Sequence, residues 1–416
     1  TTKESLCIVV MLSTHNTHYY IKDNITTMHK DSLVVTPLAD APFGCSIELP
    51  SYCQNDPSLL NDEDFAKLDD AVQRHCVVLI PDQVELSPKS QYNLTKRFDP
   101  TIPGPKDTSG GYGHGKEFRH DQSVLKKDGC SVKSQPQVQI LGQGTFSPDE
   151  PGNENGETIN LTHPSHTTFH HTSLTEDQIK NKDQTRFYRW HIDSALYDLS
   201  PPKVTTLLGI RIPPTEYQKV VYEDDGSELK LARGATCFFS GAQAFKNLSE
   251  EDKEFALNTT VEYAPHPYIF ISSAKATWDG LTMVSEGKER DFKDLPEWEE
   301  SKVKKLPMVW TNPVTKEHHL QVHGCCLYKL HTKKADGSIE TLELKEAREK
   351  AHKFLRPAIA PEQIYAHAWK QGDLVIFGNR QVTHSVVSEL AHLGEAGKRL
   401  MHQCNIASGK DPITVI

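Results

Sequence analysis

The chain has 416 residues, a formal net charge of −10 and 37% hydrophobic residues. An acidic chain lacks the basic surface that nucleic-acid binding requires, and no apolar run is long enough to span a membrane. The nine cysteines are scattered without a Cys-x-x-Cys pair, which favours free thiols in a reducing cytosol. We therefore expect a cytoplasmic protein that binds neither nucleic acid nor membrane. The oligomeric state has no signature in the sequence.

The N-terminal part of the chain divides into an irregular extension and a regular segment. Residues 1–32 show no periodicity, so we predict a poorly ordered extension, followed by a single domain at 33–416. Residues 33–38 and 44–49 have the pattern of short strands. Residues 61–72 predict a helix, because an Asn-Asp cap is followed by acidic residues and an apolar stripe.

The middle of the chain carries a candidate pocket wall and a candidate insertion. Residues 135–141 alternate as a strand, which places Gln137 and Gln139 on one face. This face is either a solvated edge or a pair of amides that lines a substrate pocket. The polar, histidine-rich residues 143–184 predict an insertion. There, Glu176 and Asp177 either cap an exposed helix or reach the pocket.

The downstream half alternates strands with acidic loops. Residues 203–212 predict a β-branched strand, and the acidic residues 222–227 look like an insertion. Residues 260–365 predict a longer insertion with strands that include 268–271 and a helix near 341–355. Three of its histidines have no partner pattern, so we expect them at the surface: His318, His319 and His323. Strands separated by turns indicate an antiparallel sandwich or jelly roll.

Two separated stretches contain the residues of a metal site. His191 and Asp193 are two residues apart, so in an extended backbone their side chains point to the same side. A third ligand, His384, follows the apolar strand at 373–377 and a turn-like Gly-Asn pair. Two histidines and one carboxylate with open coordination positions form the facial triad of non-haem Fe(II) oxygenases.

The segments around these residues resemble the taurine-dioxygenase-like family of Fe(II)- and 2-oxoglutarate-dependent oxygenases. Four segments match in order: Trp190-His191-Ile192-Asp193, residues 234–241, Gly372-Asp373 through His384, and Arg399-Leu400-Met401-His402. The resemblance extends from about Val35 to the C-terminus. Within the family, residues 185–193 and 201–208 are most similar to the fungal xanthine dioxygenases.

The resemblance implies a fold, a cofactor set and a reaction. The fold is mainly β with flanking helices (α+β), a double-stranded β-helix or jelly roll with the metal at its open mouth. His191, Asp193 and His384 would bind catalytic Fe(II), while 2-oxoglutarate and O2 serve as cosubstrates and succinate and CO2 are released. Arg399 offers a bidentate fork for the distal carboxylate of 2-oxoglutarate. By its position in the family motif, Thr236 adds a hydroxyl.

One departure from the family pattern indicates the substrate. Sulfonate- and carboxylate-oxidising members carry a second arginine four residues after the first, where this chain has Gln403, followed by Asn405. Even spacing places both amides on the same strand face as Arg399. Amides match the N–H and C=O edge of a heterocycle, and the xanthine dioxygenases use these positions for substrate. We therefore expect hydroxylation of xanthine, or a similar heterocycle, to uric acid. A sulfonate, sulfate ester or aryloxyalkanoate substrate and a non-catalytic binding protein are the alternatives.

Overall fold

The computed structural model describes residues 32–101, 130–214, 216–387 and 390–415. The predicted N-terminal extension, apart from residue 32, lies outside these ranges. The strands are β1 Val34–Pro37, β2 Cys45–Glu48, β3 Val77–Ile80, β4 Cys130–Val132, β5 Gln135–Phe146, β6 Ile159–Leu161, β7 Gln184–Thr185, β8 Val204–Arg211, β9 Tyr217–Val221, β10 Glu228–Ala232, β11 Thr236–Ser240, β12 Thr259–Tyr263, β13 Lys305–Pro307, β14 Val309–Thr311, β15 His318–Leu320, β16 Leu327–Lys333, β17 Ile339–Leu342, β18 Tyr365–His367, β19 Leu374–Gly378, β20 Val382–Val386 and β21 Arg399–Asn405. The helices are α1 Asp62–His75, α2 Pro88–Arg97, α3 His166–Phe169, α4 Glu176–Lys180, α5 Gly241–Lys246, α6 Glu250–Leu257, α7 Pro267–Phe270 and α8 Leu344–Leu355.

A large sheet forms one wall of the structure. Its strand order is β1-β2-β3-β19-β8-β21-β5-β4, and β6 also pairs with β5. The ladders are antiparallel except for the parallel pair β2 and β3. The close approach of β5 to β21 requires glycine, because a Cβ at Gly142 would lie 1.7 Å from the carbonyl oxygen of Arg399. Helices α1 and α2 cover the outer face of this sheet, where Leu68 and Leu94 pack against Leu208 and Ile376.

A small sheet faces the large one across an apolar interior. Its order is β18-β11-β20, and the backbone at 187–191 continues it through bridges to β20. Phe238 of β11 packs between the sheets with Phe377 of β19 and Met401 of β21. Two facing sheets with mostly antiparallel strands form the predicted jelly roll, with helices outside it.

Residues 260–365 pack against the outer face of the small sheet. They contribute the sheet β13-β12-β16-β17 and the hairpin β14-β15, while α8 packs on β16. The largest apolar core lies beneath them and joins Phe239 of the small sheet to Trp310 and Phe354. Within the described ranges, no helix is long and apolar enough to cross a membrane.

Most predicted elements are confirmed, and two expectations for the downstream half are wrong. Residues 268–271 are not a strand, because His266 has a left-handed backbone and leads into helix α7. His319 and His323 are not at the surface: they are 1% and 0% exposed. Residues 222–227 form the turn of the β9–β10 hairpin, closed by a hydrogen bond from the Tyr222 amide to the Ser227 carbonyl, and their origin as an insertion stays a prediction.

Candidate metal centre

Three of the predicted ligands meet at the mouth of the jelly roll. One ligand atom each from His191, Asp193 and His384 lies within 4.8 Å of the others, the one such group of three or more among the described residues. Asp193 Oδ1 is 3.8 Å from His191 Nε2 and 3.7 Å from His384 Nε2. A single ion could therefore bind all three atoms. The set of two imidazoles and one carboxylate suits Fe(II).

The backbone holds the two histidines side by side. His191 and His384 exchange backbone hydrogen bonds of 2.9 Å in both directions, and their ring centroids are 4.1 Å apart. This pairing joins the 187–191 segment to β20, because directly opposed residues of an antiparallel ladder share a face. One strand pairing therefore brings together two ligands that are 193 residues apart in sequence.

Neighbouring groups orient the ligands. The ring N–H at Nδ1 of His191 can donate to the carbonyl oxygen of Arg189 at 3.0 Å, which leaves Nε2 for a metal. The Thr205 hydroxyl donates to Asp193 Oδ2 at 2.7 Å, and the Gln403 amide donates to the same oxygen at 3.3 Å. Because both donors use Oδ2, Oδ1 remains directed at the two histidines.

Asn379 fixes the turn that carries Asp193. Its side chain is fully buried and accepts a hydrogen bond from the Asp193 amide at 2.7 Å. Its Nδ2 donates back to the carbonyl of Asp193 at 2.8 Å and to that of Pro202 at 3.1 Å. One side chain between β19 and β20 thus ties the His-x-Asp segment to the start of β8.

Burial keeps both histidines neutral. Desolvation lowers the pKa of His384 to about 3, and the charge of Arg189 acts in the same direction. Desolvation also holds the pKa of His191 well below its usual range, with further contributions from His384 and Arg189. Neutral imidazoles offer the lone pairs that a metal requires.

Arg399 has the geometry expected of a residue that binds a carboxylate. It is 3% exposed, and burial lowers its pKa to about 10. Its Nη1 donates to Nε2 of His163 at 2.9 Å. Its Nε and Nη2 atoms are buried and have no hydrogen-bond partner within the described residues. These two atoms are the side-on donor pair that binds carboxylates, so the site fits one end of 2-oxoglutarate.

Thr236 begins strand β11 close to this arginine. A Cβ at Gly234, two residues earlier, would lie 3.7 Å from Cδ and Nε of Arg399. The Thr236 hydroxyl accepts a hydrogen bond of 3.0 Å from the Trp369 indole, so its own hydrogen is available for a further acceptor. Its role in binding the cosubstrate stays a prediction.

The predicted amides lie on the inner face of the large sheet. Gln403 stands directly opposite Gln139 in the β5–β21 ladder, and Asn405 stands opposite Thr205 in the β8–β21 ladder. Gln139 and Asn405 are buried, while Gln137 is partly buried and accepts a hydrogen bond from Gln135. Because Gln403 contacts Asp193, this polar face adjoins the metal ligands. A role of the four amides in substrate binding stays a prediction.

Glu176 and Asp177 occupy a different environment. They form the first turn of α4, which is capped by Thr175. Both side chains are exposed and pair with lysines, Glu176 with Lys180 and Asp177 with Lys182. No contact in the described part of the chain joins either carboxylate to the metal ligands. Their predicted substrate contact therefore gains no support from the geometry.

Sequence reasoning missed three residues that support the centre. Thr205 and Asn379 hold Asp193, and His163 holds Arg399. The Gly-Asn turn before β20 was a visible signal for Asn379. A strand threonine and one histidine of the 143–184 segment carry no such signal, because their partners are distant in sequence.

Comparison with known proteins agrees with this geometry. Residues 145–405 match the taurine catabolism dioxygenase TauD, TfdA family. The chain is 44% identical over 381 residues to the alpha-ketoglutarate-dependent xanthine dioxygenase xanA of Emericella nidulans, covering 91% of this chain and 98% of that protein. It is 45% identical over 388 residues to the xanthine dioxygenase xan-1 of Neurospora crassa, covering 91% of this chain and 88% of that one.

A solved structure shows the same fold. The crystal structure of a putative alpha-ketoglutarate-dependent taurine dioxygenase from Burkholderia xenovorans superposes with a TM-score of 0.53 at 17% identity, covering 92% of each chain. His191, which bridges to β20, and His384 of β20 both lie within the matched region of the family. The chain belongs to the taurine catabolism dioxygenase TauD, TfdA family.

Proposed function

We propose that this chain is an Fe(II)- and 2-oxoglutarate-dependent dioxygenase that converts xanthine, 2-oxoglutarate and O2 to uric acid, succinate and CO2. The observation that carries the substrate assignment is the amide face of Gln139 and Gln403 beside Asp193. Neutral amides can donate to C=O groups and accept from N–H groups of an oxopurine. The named function of the fungal relatives at 44–45% identity supports the same substrate.

His191, Asp193 and His384 would hold the iron, and Arg399 would hold the distal carboxylate of 2-oxoglutarate. Bound iron and cosubstrate supply the oxidising chemistry, in which one oxygen atom of O2 enters the purine and the other enters succinate. The chain keeps both imidazoles neutral by burial and directs Asp193 Oδ1 toward them. It also presents the unpaired side of the Arg399 fork to the cosubstrate.

The substrate residues would orient the purine rather than react with it. Gln403 and Gln139 face each other across the β5–β21 ladder, so both amides can contact one flat ligand from the large-sheet side. Correct orientation of the reacting carbon contributes to rate because it avoids the entropic cost of alignment in the transition state. The oxopurine C8–H would face the metal when the amides contact the opposite edge.

We infer that the enzyme is located in the cytosol and that residues 33–416 form one catalytic unit. All eight cysteines of the described residues are free, which fits a reducing compartment. The layers built from 143–184 and 260–365 pack on the jelly roll and contact its core.

The direct test is stoichiometry. The Fe(II)-loaded protein is incubated with 2-oxoglutarate in air, with and without xanthine, and succinate and uric acid are both quantified. We expect equal amounts of succinate and urate, and little succinate without xanthine. Succinate without urate would keep the oxygenase and discard the purine, and a panel of sulfonates and aryloxyacids would follow. Absence of succinate under all conditions would indicate a binding protein.

A further inference from the structure

Among the described residues, four arginines are less than 9% exposed: Arg186, Arg348, Arg189 and Arg399. In that part of the chain, the first two have a carboxylate partner and the last two do not. Arg186 forms an ion pair with Glu223, and Arg348 forms one with Glu289 at 2.6 Å. Arg189 and Arg399 form no ion pair within the described ranges. Burying a guanidinium without a counter-charge is unfavourable. The two unpaired arginines therefore have the electrostatic character of anion-binding residues.

The distal carboxylate of 2-oxoglutarate would supply the missing counter-charge of Arg399, whereas no group named so far supplies one for Arg189. The Arg189 guanidinium lies 5.1 Å from the ring centroid of Tyr268 and 5.8 Å from that of Tyr188. These ring faces stabilise the charge but leave the N–H groups unused. The Nε and Nη1 atoms are buried without a hydrogen-bond partner in the described part of the chain. The Nε and Nη1 donors of Arg189 are thus unused within the described residues.

Arg189 lies beside the metal centre. Its carbonyl oxygen is the partner of His191 Nδ1. The Tyr268 hydroxyl donates to the carbonyl of Ser194 at 2.7 Å, one residue after Asp193. Tyr268 therefore connects the guanidinium to the loop that carries a metal ligand. An anion held by Arg189 would be adjacent to a ligand on the metal.

A second unused polar atom points to the same region. The ring of His323 lies 6.1 Å from that of His191 and 5.9 Å from that of Tyr268. Its Nε2 is 3.7 Å from the Cys326 thiol, while its Nδ1 is buried without a partner among the described residues. A heteroaromatic ligand with both an anionic nitrogen or oxygen and a further polar atom would satisfy both side chains.

We propose that Arg189 and His323 form an anion subsite that receives the deprotonated edge of the heterocyclic substrate. This inference rests on the proposed function, since xanthine is an acidic purine that loses a ring proton near neutrality. In a chain without the family's second arginine, Arg189 would supply the positive charge that an anionic substrate requires. The same chemistry would also suit the carboxylate of 2-oxoglutarate next to its keto group, so the experiment separates the two ligands.

The experiment measures binding rather than turnover. Wild type, Arg189→Met and Arg189→Lys are loaded with Mn(II), and the affinities of N-oxalylglycine and xanthine are measured by calorimetry across a pH series. Arg189→Met is expected to weaken xanthine at least about 10-fold at pH 8, since a buried charge partner is lost, and to change N-oxalylglycine less than about 3-fold. The affinity of the wild type for xanthine should rise with pH as xanthine ionises, and the Arg189→Met variant should not show this increase. Arg189→Lys should retain part of it.

A matched control is Arg186→Met, which removes a paired arginine of the same segment. It should lower thermal stability while both affinities stay at wild-type values. Where Arg189→Met fails to fold, the His323→Phe and Arg189→Lys variants replace it, and each should weaken xanthine more than N-oxalylglycine. Unchanged xanthine affinity in a folded Arg189→Met variant would overturn the subsite. A selective loss of N-oxalylglycine affinity would overturn the substrate assignment and place the cosubstrate there.

Failure of the proposed function has a different signature. It would appear in the wild type, as absence of xanthine binding and of urate. The anion subsite would then be overturned for purines. By contrast, wild-type urate formation together with an unaffected Arg189→Met variant would leave the function standing and remove only the subsite.

Discussion

The jelly roll and the two segments at 143–184 and 260–365 contribute to the centre in different ways. The jelly roll supplies His384 from β20 and Arg399 from β21, and the segment that bridges to β20 supplies His191 and Asp193; short motifs identify all four. The segments at 143–184 and 260–365 supply residues that support those side chains. Among these, His163 contacts Arg399, and His323 lies beside His191. The two segments therefore complete the surroundings of the centre.

The difference shows what local sequence encodes. Spacing of two residues defines which side chains share a strand face, so the ligands are visible in the chain. Burial of a histidine in the 260–365 segment depends on partners that are distant in sequence. His319, for example, is buried because its Nδ1 lies 3.1 Å from the carbonyl of Gln381, 62 residues away. A search for ligand patterns alone would class it with the surface histidines.

Removal of one histidine from each region gives the sharpest test of this comparison. His191→Ala should abolish 2-oxoglutarate-dependent turnover, because a metal ligand is lost, while His319→Ala should retain metal. His319→Ala should instead lower the free energy of unfolding by about 1–3 kcal/mol, as is usual for loss of a buried side chain. Metal content and denaturant unfolding check the two variants. Full activity of His191→Ala would contradict the assigned triad.

Replacement of His163 tests whether the 143–184 segment affects binding of the cosubstrate. His163→Ala removes the acceptor for Arg399 Nη1, and a hydrogen bond to a charged group contributes about 1.5–3 kcal/mol. The KM for 2-oxoglutarate should therefore rise about 10-fold or more, while kcat at saturation changes less. Steady-state kinetics with varied 2-oxoglutarate measure the effect.

The conservative variant separates positioning from packing. The amide oxygen of Gln can accept the same hydrogen bond, so His163→Gln should recover most of the lost affinity for 2-oxoglutarate. Equal KM values in His163→Ala and wild type would show that Arg399 is oriented without the 143–184 segment. That segment would then contribute less to the centre than we infer.

Gln403→Ala tests the predicted substrate face of the strands. The variant should raise the KM for xanthine several-fold, corresponding to about 1–2 kcal/mol for a lost hydrogen-bonding partner. The KM for 2-oxoglutarate should change little, since Arg399 is untouched. Exposed Gln243 on α5 provides a control, because Gln243→Ala should leave both constants unchanged. A change in the KM for 2-oxoglutarate alone would contradict the assignment of Gln403 to substrate binding and of Arg399 to cosubstrate binding.

The fold was predictable where hydrophobic alternation and capping are strong. Helix α1 begins after Asn61, which caps it as expected, and β5, β8 and β19 match their predicted segments. The segment 268–271 has a β-branched, aromatic composition that suggests a strand, but Pro267 and the left-handed backbone of His266 start a helix there. Local composition could not reveal that geometry, since tertiary packing overrides β propensity.

The site was predictable in its ligands and less so in their support. The His-x-Asp spacing and the strand before His384 identify the metal-binding atoms. Asn379 joins three chain segments through its amide, and its role depends on the arrangement of Asp193 and Pro202 in space. The positive charge of Arg189 follows from the sequence, but that no carboxylate of the described residues pairs with it is a property of the fold. Residues that act in this way can be identified only from the three-dimensional structure.

The smallest expected effect concerns a histidine of the 260–365 segment that is not one of the metal ligands. His352 of α8 is hydrogen-bonded to buried Asp279 at 2.8 Å, and this bond raises the pKa of the histidine above its ordinary value of 6.5. A histidine whose pKa is raised by folding stabilises the folded state below its unfolded pKa. That contribution is lost as pH rises through the folded pKa. The pair should therefore stabilise the protein at pH 6 more than at pH 9.

His352→Gln keeps a hydrogen-bond donor and removes the titrating charge. Because the imidazole is partly exposed, solvent screening limits the difference from wild type to about 0.5–1 kcal/mol at pH 6, and it should approach zero at pH 9. Urea unfolding at the two pH values measures it. A difference that grew with pH would mean that the neutral imidazole, not the ion pair, is the stabilising form, since the sign of the pH dependence distinguishes the two.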